Sequence, residues 1–423
     1  MKTEWIHKKL GDLGYSFSGL SGKTIDDFGE GKPFIPYMNI FTNGKIDPNK
    51  LEYVRVADNE HQNKVEKGDW FFTTSSETPE EVGMTSVLVE DIGEAYLNSF
   101  CFGFRLYDKS EIDSEFASYL FRSEELRKKI SLFAQGSTRY NLPKQQMFDK
   151  LYISYPKALS AQRRIAAILA SADKVIAATQ KTIAKYKQIK QGMMEELFNE
   201  QCTIFAQTER SSQIHLDDAE VQPKITQKRS GCVMNNVQWR KVRLGEVGEI
   251  VTGSTPATTK AEYWDGEYNF YSPADFGENA YCTKTDRTIT AAGMKTGRSV
   301  PANSIMVACI ASIGKIAINR TEGITNQQIN TIIPNDNYNF IFLYYLLSLN
   351  VEKIKGKAAQ TTIPIINKED FSNLEFSVPN LSEQRRIAAT LSGIDAKIAA
   401  EEKVLEKYTL VKKGLMEKLL NNN

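Results

Sequence analysis

The sequence predicts an α+β protein built twice: a globular unit, a long helix, a second globular unit and a second long helix. Two internal repeats carry that prediction. Residues 159–198 and 381–420 align without a gap at an offset of 222, with 21 of 40 positions identical. Upstream, Trp5, Leu10-Gly11-Asp12-Leu13-Gly14 and Gly19 correspond to Trp239, Leu244-Gly245-Glu246-Val247-Gly248 and Gly253 at an offset of 234. So long a period lies far outside solenoid repeats and marks a fused tandem. The implied domains are 1–158, a helix at 159–198, a connector at 199–238, a second unit at 239–380 and a helix at 381–423.

In the first unit, Pro36-Tyr37-Met38-Asn39-Ile40, Trp70-Phe71-Phe72-Thr73-Thr74 and Val87-Leu88-Val89 have strand character, while the amphipathic stretch 114–126 predicts a helix. The turn Lys67-Gly68-Asp69 precedes the Trp70 strand. The second unit repeats the order with Phe270-Tyr271-Ser272, the turn Ala302-Asn303, Ser304-Ile305-Met306-Val307-Ala308, Ile316-Ala317-Ile318 and a helix over 340–349. Residues 200–236 are polar, aperiodic and rich in Gln, Ser and Thr, and read as a flexible connector.

The repeated blocks read as long helices, with Ser160 and Ser382 as N-caps after Pro156 and Pro379 and no internal proline. On a seven-residue grid one seam runs Ile165, Leu169, Ala172, Ile176, Thr179, Ile183, Tyr186, Lys190, Met193, Leu197. The other runs Ile387, Leu391, Ile394, Ile398, Glu401, Leu405, Tyr408, Lys412, Leu415, Leu419. Both have polar breaks at the same grid positions. Either the helices pair, with Thr179 or Glu401 and Lys190 or Lys412 setting register, or these are solvated seam edges.

At 423 residues, 41% hydrophobic and 25% charged, the chain is ordinary for a soluble protein of two to three domains. The start lacks an apolar signal region and the longest apolar run, 341–347, is too short to span a bilayer, so a cytoplasmic protein without membrane contact is expected. The cysteines are scattered without a Cys-x-x-Cys pair, and His7, His61 and His215 have no ligand spacing, so no metal site is expected. A net charge of +1 does not advertise nucleic-acid binding.

The block Leu159-Ser160-Ala161-Gln162-Arg163-Arg164-Ile165-Ala166-Ala167 and its copy from Leu381 resemble the helical regions of type I restriction-modification specificity subunits. Gly136-Ser137-Thr138 and Gln360-Thr361-Thr362 sit where that family has a Gly-Ser-Thr turn. The second unit adds Thr252-Gly253-Ser254-Thr255-Pro256, Glu262-Tyr263-Trp264, Ser312-Ile313-Gly314 and Thr325-Asn326-Gln327-Gln328, which are similar to a target recognition domain of the family. Two departures stand out: Ala359-Gln360 precedes Thr361 in the second copy, and the first unit has Ser18-Gly19-Leu20-Ser21-Gly22 in place of the Thr-Pro and Tyr-Trp signature.

The resemblance implies two target recognition domains, each binding half of a bipartite DNA site, and an antiparallel coiled coil with pseudo-twofold symmetry that fixes the gap. Groove recurrence every 10 to 10.5 base pairs makes a rigid rod selective for spacing. Double-stranded DNA, two methyltransferase subunits and motor-nuclease restriction subunits are the implied partners. The chain itself is expected to be non-catalytic, with S-adenosylmethionine, ATP and Mg on the partners. Its 13 prolines include no adjacent pair, which excludes an Asn/Asp-Pro-Pro-aromatic methyltransferase loop. Ser21-Gly22-Lys23-Thr24 imitates a phosphate-binding loop, but Phe17 stands where its first glycine would be. The first helix block carries Arg163, Arg164, Lys174, Lys181, Lys185, Lys187 and Lys190 against Asp173, Glu195 and Glu196, a surplus that a solvated helix face also explains. The alternative to DNA reading is a coiled-coil scaffold whose globular ends bind proteins.

Base reading favours Arg, Lys, Asn and Gln on loops, with Ser and Thr on phosphates or bases. The candidates in the first unit are Thr73, Thr74, Ser75 and Ser76, then Ser137, Thr138, Arg139, Tyr140 and Lys144. In the second they are Ser312, Lys315, Asn326, Gln327, Gln328, Thr361 and Thr362. Each could instead be an ordinary polar turn, and Asn326-Gln327-Gln328 an amide network satisfying backbone. Trp264 and Tyr263 suit the core. Ile165, Leu169, Ile176, Ile183, Tyr186, Ile387, Leu391, Ile398, Leu405 and Tyr408 are the candidates for helix pairing or partner docking.

Overall fold

The computed structural model describes residues 4–199, 204–205, 233–234, 238–358 and 364–421. The chain forms two compact units, residues 1–182 with 401–423, and residues 183–400. Each therefore holds one globular body, the start of the helix that follows it and the far end of the other helix. Most of the connector at 199–238 lies outside the described residues; within it, Ile204–Phe205 pairs antiparallel with Val233–Met234.

The first unit centres on a four-stranded antiparallel sheet ordered Gly14–Ser18, Cys101–Leu106, Trp70–Thr73, Thr85–Val87. Trp70, Phe71, Phe72 and Thr73 are all fully buried because the sheet is covered on both faces. Trp70 stacks on Phe104 and Phe72 on Phe102, Phe121 meets Trp70 at a tilt and Phe72 edge-on, and Phe71 joins Phe17, Ile35, Ile40 and Leu97 on the other side. Gly103 is obligatory here: a Cβ would lie 2.1 Å from the Phe17 ring. A second sheet pairs Phe28–Ile35 with Glu52–Val54 and Tyr96–Leu97, and a ribbon pairs Trp5–Lys9 with Tyr152–Pro156.

The expected strand at Pro36–Ile40 is instead a helix, Tyr37–Thr42. Pro36 is its extended N-cap, and the Arg122 guanidinium collects the carbonyls of Ile40, Phe41 and Asn43 at its end, a tertiary capping that local propensity cannot reveal. The single helix expected over 114–126 is two, Ser114–Leu120 and Glu124–Ser131. Ser123 breaks the run because its Oγ takes the Leu126 N–H as a new N-cap.

The second unit carries a five-stranded sheet ordered Gly248–Thr252, Ile329–Pro334, Ile305–Ala308, Ile316–Asn319, Tyr281–Cys282, antiparallel except for its last pair. A four-stranded sheet beside it runs Arg287–Ile289, Trp264–Tyr271, Gly323–Thr325, Ser299–Val300, and Arg240–Arg243 pairs with Glu375–Val378. The helix Phe340–Leu349 forms where the apolar run predicts it. The repeated turn is visible in the backbone: Gly68 and Asn303 both take positive φ, 93° and 66°.

The long helices run Leu159–Leu197 and Leu381–Leu420. The expected serine caps are not used. Asn380 caps the second helix, its Oδ1 accepting from the Glu383 N–H and the Ser382 hydroxyl, and the first opens with the Ala158 carbonyl. Gln162 and Gln384 of the repeated motif are buried and dock each helix to its own globular body. Gln162 accepts from the Asp113 N–H and donates to the carbonyls of Glu111 and Pro156. Gln384 accepts from the Asn339 N–H and donates to the carbonyl of Pro379. Asp113 and Asn339 are the N-caps of the following helices, so one amide serves the same joint in both units.

Within each unit the two helical segments run antiparallel. In the first, Leu420 packs with Ala166 and Leu169, and Lys412 pairs with Asp173. In the second, Met194 packs with Ile387, Ala388 and Leu391, and Lys190 pairs with Asp395. The polar seam breaks at Lys190 and Lys412 are thus ion-paired across the helices. Leu169, Ile183, Ile387, Leu391 and Ile398 are buried, and Ile165, Ile176, Tyr186 and Leu405 half-buried. Tyr408 departs from the expected seam and is exposed.

Candidate nucleic-acid interface

The same corner recurs in both units, where the chain leaves a central strand and meets the segment that follows the Gly-Ser-Thr position. In the first unit Ser75 and Ser76 pair with Asn141 and Tyr140. In the second, Ile310 bridges Ile365, with the Ile366 N–H donating to Cys309 O at 2.9 Å and the Ala311 N–H to Pro364 O at 3.2 Å. A common frame therefore presents unlike side chains.

At the first corner Gly136 has φ 138°, and a Cβ there would lie 2.1 Å from the Arg139 carbonyl oxygen, so the tight turn requires glycine. The turn exposes Ser137, Thr138 and Arg139. Arg139 is steered by Ser75, whose Oγ accepts from Nε at 3.1 Å and Nη2 at 2.9 Å. Between this turn and the helix Tyr37–Thr42 lies a groove of about 600 Å³ lined by Tyr37, Met38, Phe41, Ser75, Ser76, Glu77, Glu81, Thr138 and Arg139. Tyr37 stacks on Phe41, and its hydroxyl donates to Ser75 O at 2.9 Å. Burial raises the Tyr37 phenol above its usual value.

Both groove walls are pinned from beneath. Arg122 donates to Thr85 O as well as to the three carbonyls of the 37–42 helix end, and Arg127 to the carbonyls of Glu80, Val82 and Gly83. Burial lowers both guanidinium pKa values to about 10, which leaves them charged at neutral pH.

The sequence candidates divide on this geometry. Thr138 and Arg139 open into the groove and Ser137 is exposed next to them, while Lys144 is exposed at the start of the helix Lys144–Lys150, its Nζ 5.7 Å from the Phe102 ring centroid. Ser75 and Ser76 line the groove but are mostly buried, and Tyr140 is half-buried in the ribbon. Thr74 donates to the Phe100 carbonyl at 2.9 Å. Thr73 is withdrawn altogether: it is fully buried and its Oγ accepts from the Met84 N–H at 3.0 Å.

In the second unit Ser312 and Lys315 are exposed at the corner, in a loop where Ala311 and Gly314 take positive φ. Asn326 and Gln328 bond each other at 3.0 Å, the amide network foreseen as the alternative, while the exposed Gln327 accepts from the Thr255 hydroxyl. Thr361 and Thr362 lie outside the described residues. Trp264 is buried under Arg287 and edge-on to Phe270, as a core residue should be.

Sequence reasoning missed Tyr37, Met38, Phe41, Glu77 and Glu81 as groove residues; only Pro36, as a helix-start signal, could have flagged the first three. Among the described residues no group of three or more His, Cys, Asp and Glu could hold a metal, and no helix is long and apolar enough to cross a membrane. In the phosphate-loop imitation, Lys23 is buried against Glu60.

A family model described as the type I restriction modification DNA specificity domain matches residues 2–189 and 236–409. The MjaIX specificity subunit of a type I restriction enzyme from Methanocaldococcus jannaschii is 32% identical over 181 residues, 41% of this chain and 42% of that protein. The HindI specificity subunit of Haemophilus influenzae is 27% identical over 43% of this chain and 41% of that protein. These alignments span less than half of either relative. The putative MjaX specificity subunit from M. jannaschii is 25% identical over 99% of this chain and 93% of its own. In fold, the chain is similar to the S subunit of a type I restriction-modification system from M. genitalium, with a TM-score of 0.58 at 15% identity, covering 100% and 97% of the two chains.

Proposed function

As the chain belongs to the family of the type I restriction modification DNA specificity domain, we propose that it is the DNA-reading subunit of a type I restriction-modification complex. Each globular unit reads one half of a bipartite, gapped double-stranded site. The observation that carries this reading is the repeated corner, one backbone frame displaying Thr138 and Arg139 in one unit and Ser312 and Lys315 in the other. A frame held constant while its exposed polar side chains vary suits two readers of different sequence.

The paired helices set the spacing and dock two methyltransferase subunits, and motor-nuclease subunits join for cleavage. S-adenosylmethionine, ATP and Mg act on those partners, and the complex works in the cytoplasm. The near-neutral charge fits this division, since partners can clamp phosphates while this chain meets base edges. The test is a mobility-shift titration of the chain with its methyltransferase subunits on duplex DNA. A specificity subunit gives affinity that falls steeply with salt and prefers one gapped sequence; a protein-binding scaffold gives neither.

A further inference from the structure

We propose that the first unit's half-site contains a C·G pair, with Arg139 reading the guanine and Glu77 or Glu81 the cytosine in the major groove. This rests on the DNA-reading role proposed above and names the base chemistry of one corner.

Glu77 and Glu81 line the groove, and neither carboxylate has an ion pair or side-chain hydrogen bond among the described residues. Two unpaired carboxylates on a DNA-facing groove repel phosphate, so the only groups on a duplex that reward them are base amines. In the major groove these are cytosine N4 and adenine N6. Arg139 narrows the choice. Its Nε and one Nη2 hydrogen are spent on Ser75, which leaves the Nη1 end of the guanidinium, with the second Nη2 hydrogen, pointing onward as a fork. Guanine O6 and N7 are the acceptors that match such a fork. One C·G pair offers the two acceptors and the amine together.

Rigidity makes the reading selective. Arg122 and Arg127 spend their donors on backbone carbonyls of the two walls, so Tyr37, Glu77 and Glu81 stand on segments fixed from below. At the second corner the segment 309–315 holds Ser312 and Lys315 and no acidic residue, so the same pair is not expected there.

The test uses the full chain assembled with its methyltransferase subunits and a DNA library randomised in both half-sites. The wild-type complex should select a C·G pair in one half. Arg139→Ala should lose discrimination at that pair by about 5- to 160-fold, the equivalent of ~1–3 kcal/mol for a good bidentate contact. The double variant Glu77→Ala with Glu81→Ala should weaken the preference for C·G at that pair without reversing it, because Arg139 still requires the guanine. The other half-site should keep its sequence in every variant. A guanine-to-7-deazaguanine replacement at that pair removes the N7 acceptor without altering the protein, and should weaken modification by the wild-type complex. A half-site without C·G, a pair indifferent to 7-deazaguanine, or variants that lose both half-sites equally would overturn the inference. A wild-type complex with no sequence preference would instead overturn the DNA-reading role itself.

Discussion

Lys412 of the C-terminal helix reaches Asp173 of the central helix at 2.5 Å, and the same Asp173 accepts from the Tyr119 hydroxyl at 2.8 Å. The second unit repeats the arrangement with Lys190, Asp395 and Tyr345, at 2.7 and 2.6 Å. In both, the lysine also lies over the tyrosine ring, at 5.7 and 5.3 Å. One carboxylate thus ties two helices to a globular body, and burial with the neighbouring carboxylate raises both phenols well above their usual value.

Reversing one charge should expose that tie. Lys412→Asp should destabilise the first unit, and adding Asp173→Lys should recover part of the loss. Because both groups are partly exposed, the coupling expected in a double-mutant cycle is about 0.5–1 kcal/mol. Denaturant titrations of the four proteins give the coupling directly, and a value of zero would reduce the pair to surface decoration.

Gln162 and Gln384 should be costlier to lose. Each is almost fully buried, and Ala would strand a backbone N–H and at least one carbonyl, at about 1–3 kcal/mol per stranded group. Gln162→Glu should not rescue, since a carboxylate cannot donate to the Pro156 carbonyl. Urea midpoints of the variants check this.

Thr73 and Thr138 should separate stability from binding. Thr73→Val keeps shape but leaves the partly buried Met84 N–H without its partner, so a loss of about 1 kcal/mol or more is expected. Thr138→Ala, on an exposed turn, should change stability within about 0.5 kcal/mol and weaken DNA affinity of the assembled complex. The reverse pattern in thermal melts and mobility shifts would reject this placement of the interface.

Glu94 should govern part of the acid response. Lys64, the Tyr96 hydroxyl and Lys32 hold its carboxyl at about 2, against 4.5 ordinarily. A depressed folded pKa contributes stability that is full above 4.5 and is lost as pH falls toward 2. Glu94→Gln should therefore melt below wild type at neutral pH, with the gap closing between pH 4.5 and 2.

Much of this architecture was legible because it was local or repeated. Forty residues without proline announce a helix, and the duplicated Leu-Ser-x-Gln-Arg-Arg block marks the joint. What was illegible was tertiary. Lys190 and Lys412 looked like seam defects because the carboxylates that answer them sit on the opposite helix. Tyr37–Thr42 looked like a strand because its C-terminal carbonyls are capped by Arg122, some 80 residues away. Thr73 looked like an accessible strand end because a strand buried on both faces shows no alternation to betray its burial. The groove residues Glu77 and Glu81 carry no local signature; only folding brings them beside Arg139.

That the two units read one gapped site whose spacing the long helices set is tested most directly by single-molecule methylation mapping of DNA treated with the chain and its methyltransferase subunits, repeated with one helical turn inserted into each long helix. A single bipartite site with a fixed gap is expected, and a changed gap or lost modification after insertion, both half-sequences being retained wherever modification survives. Methylation without sequence preference, or a gap unaffected by the longer helices, would contradict it.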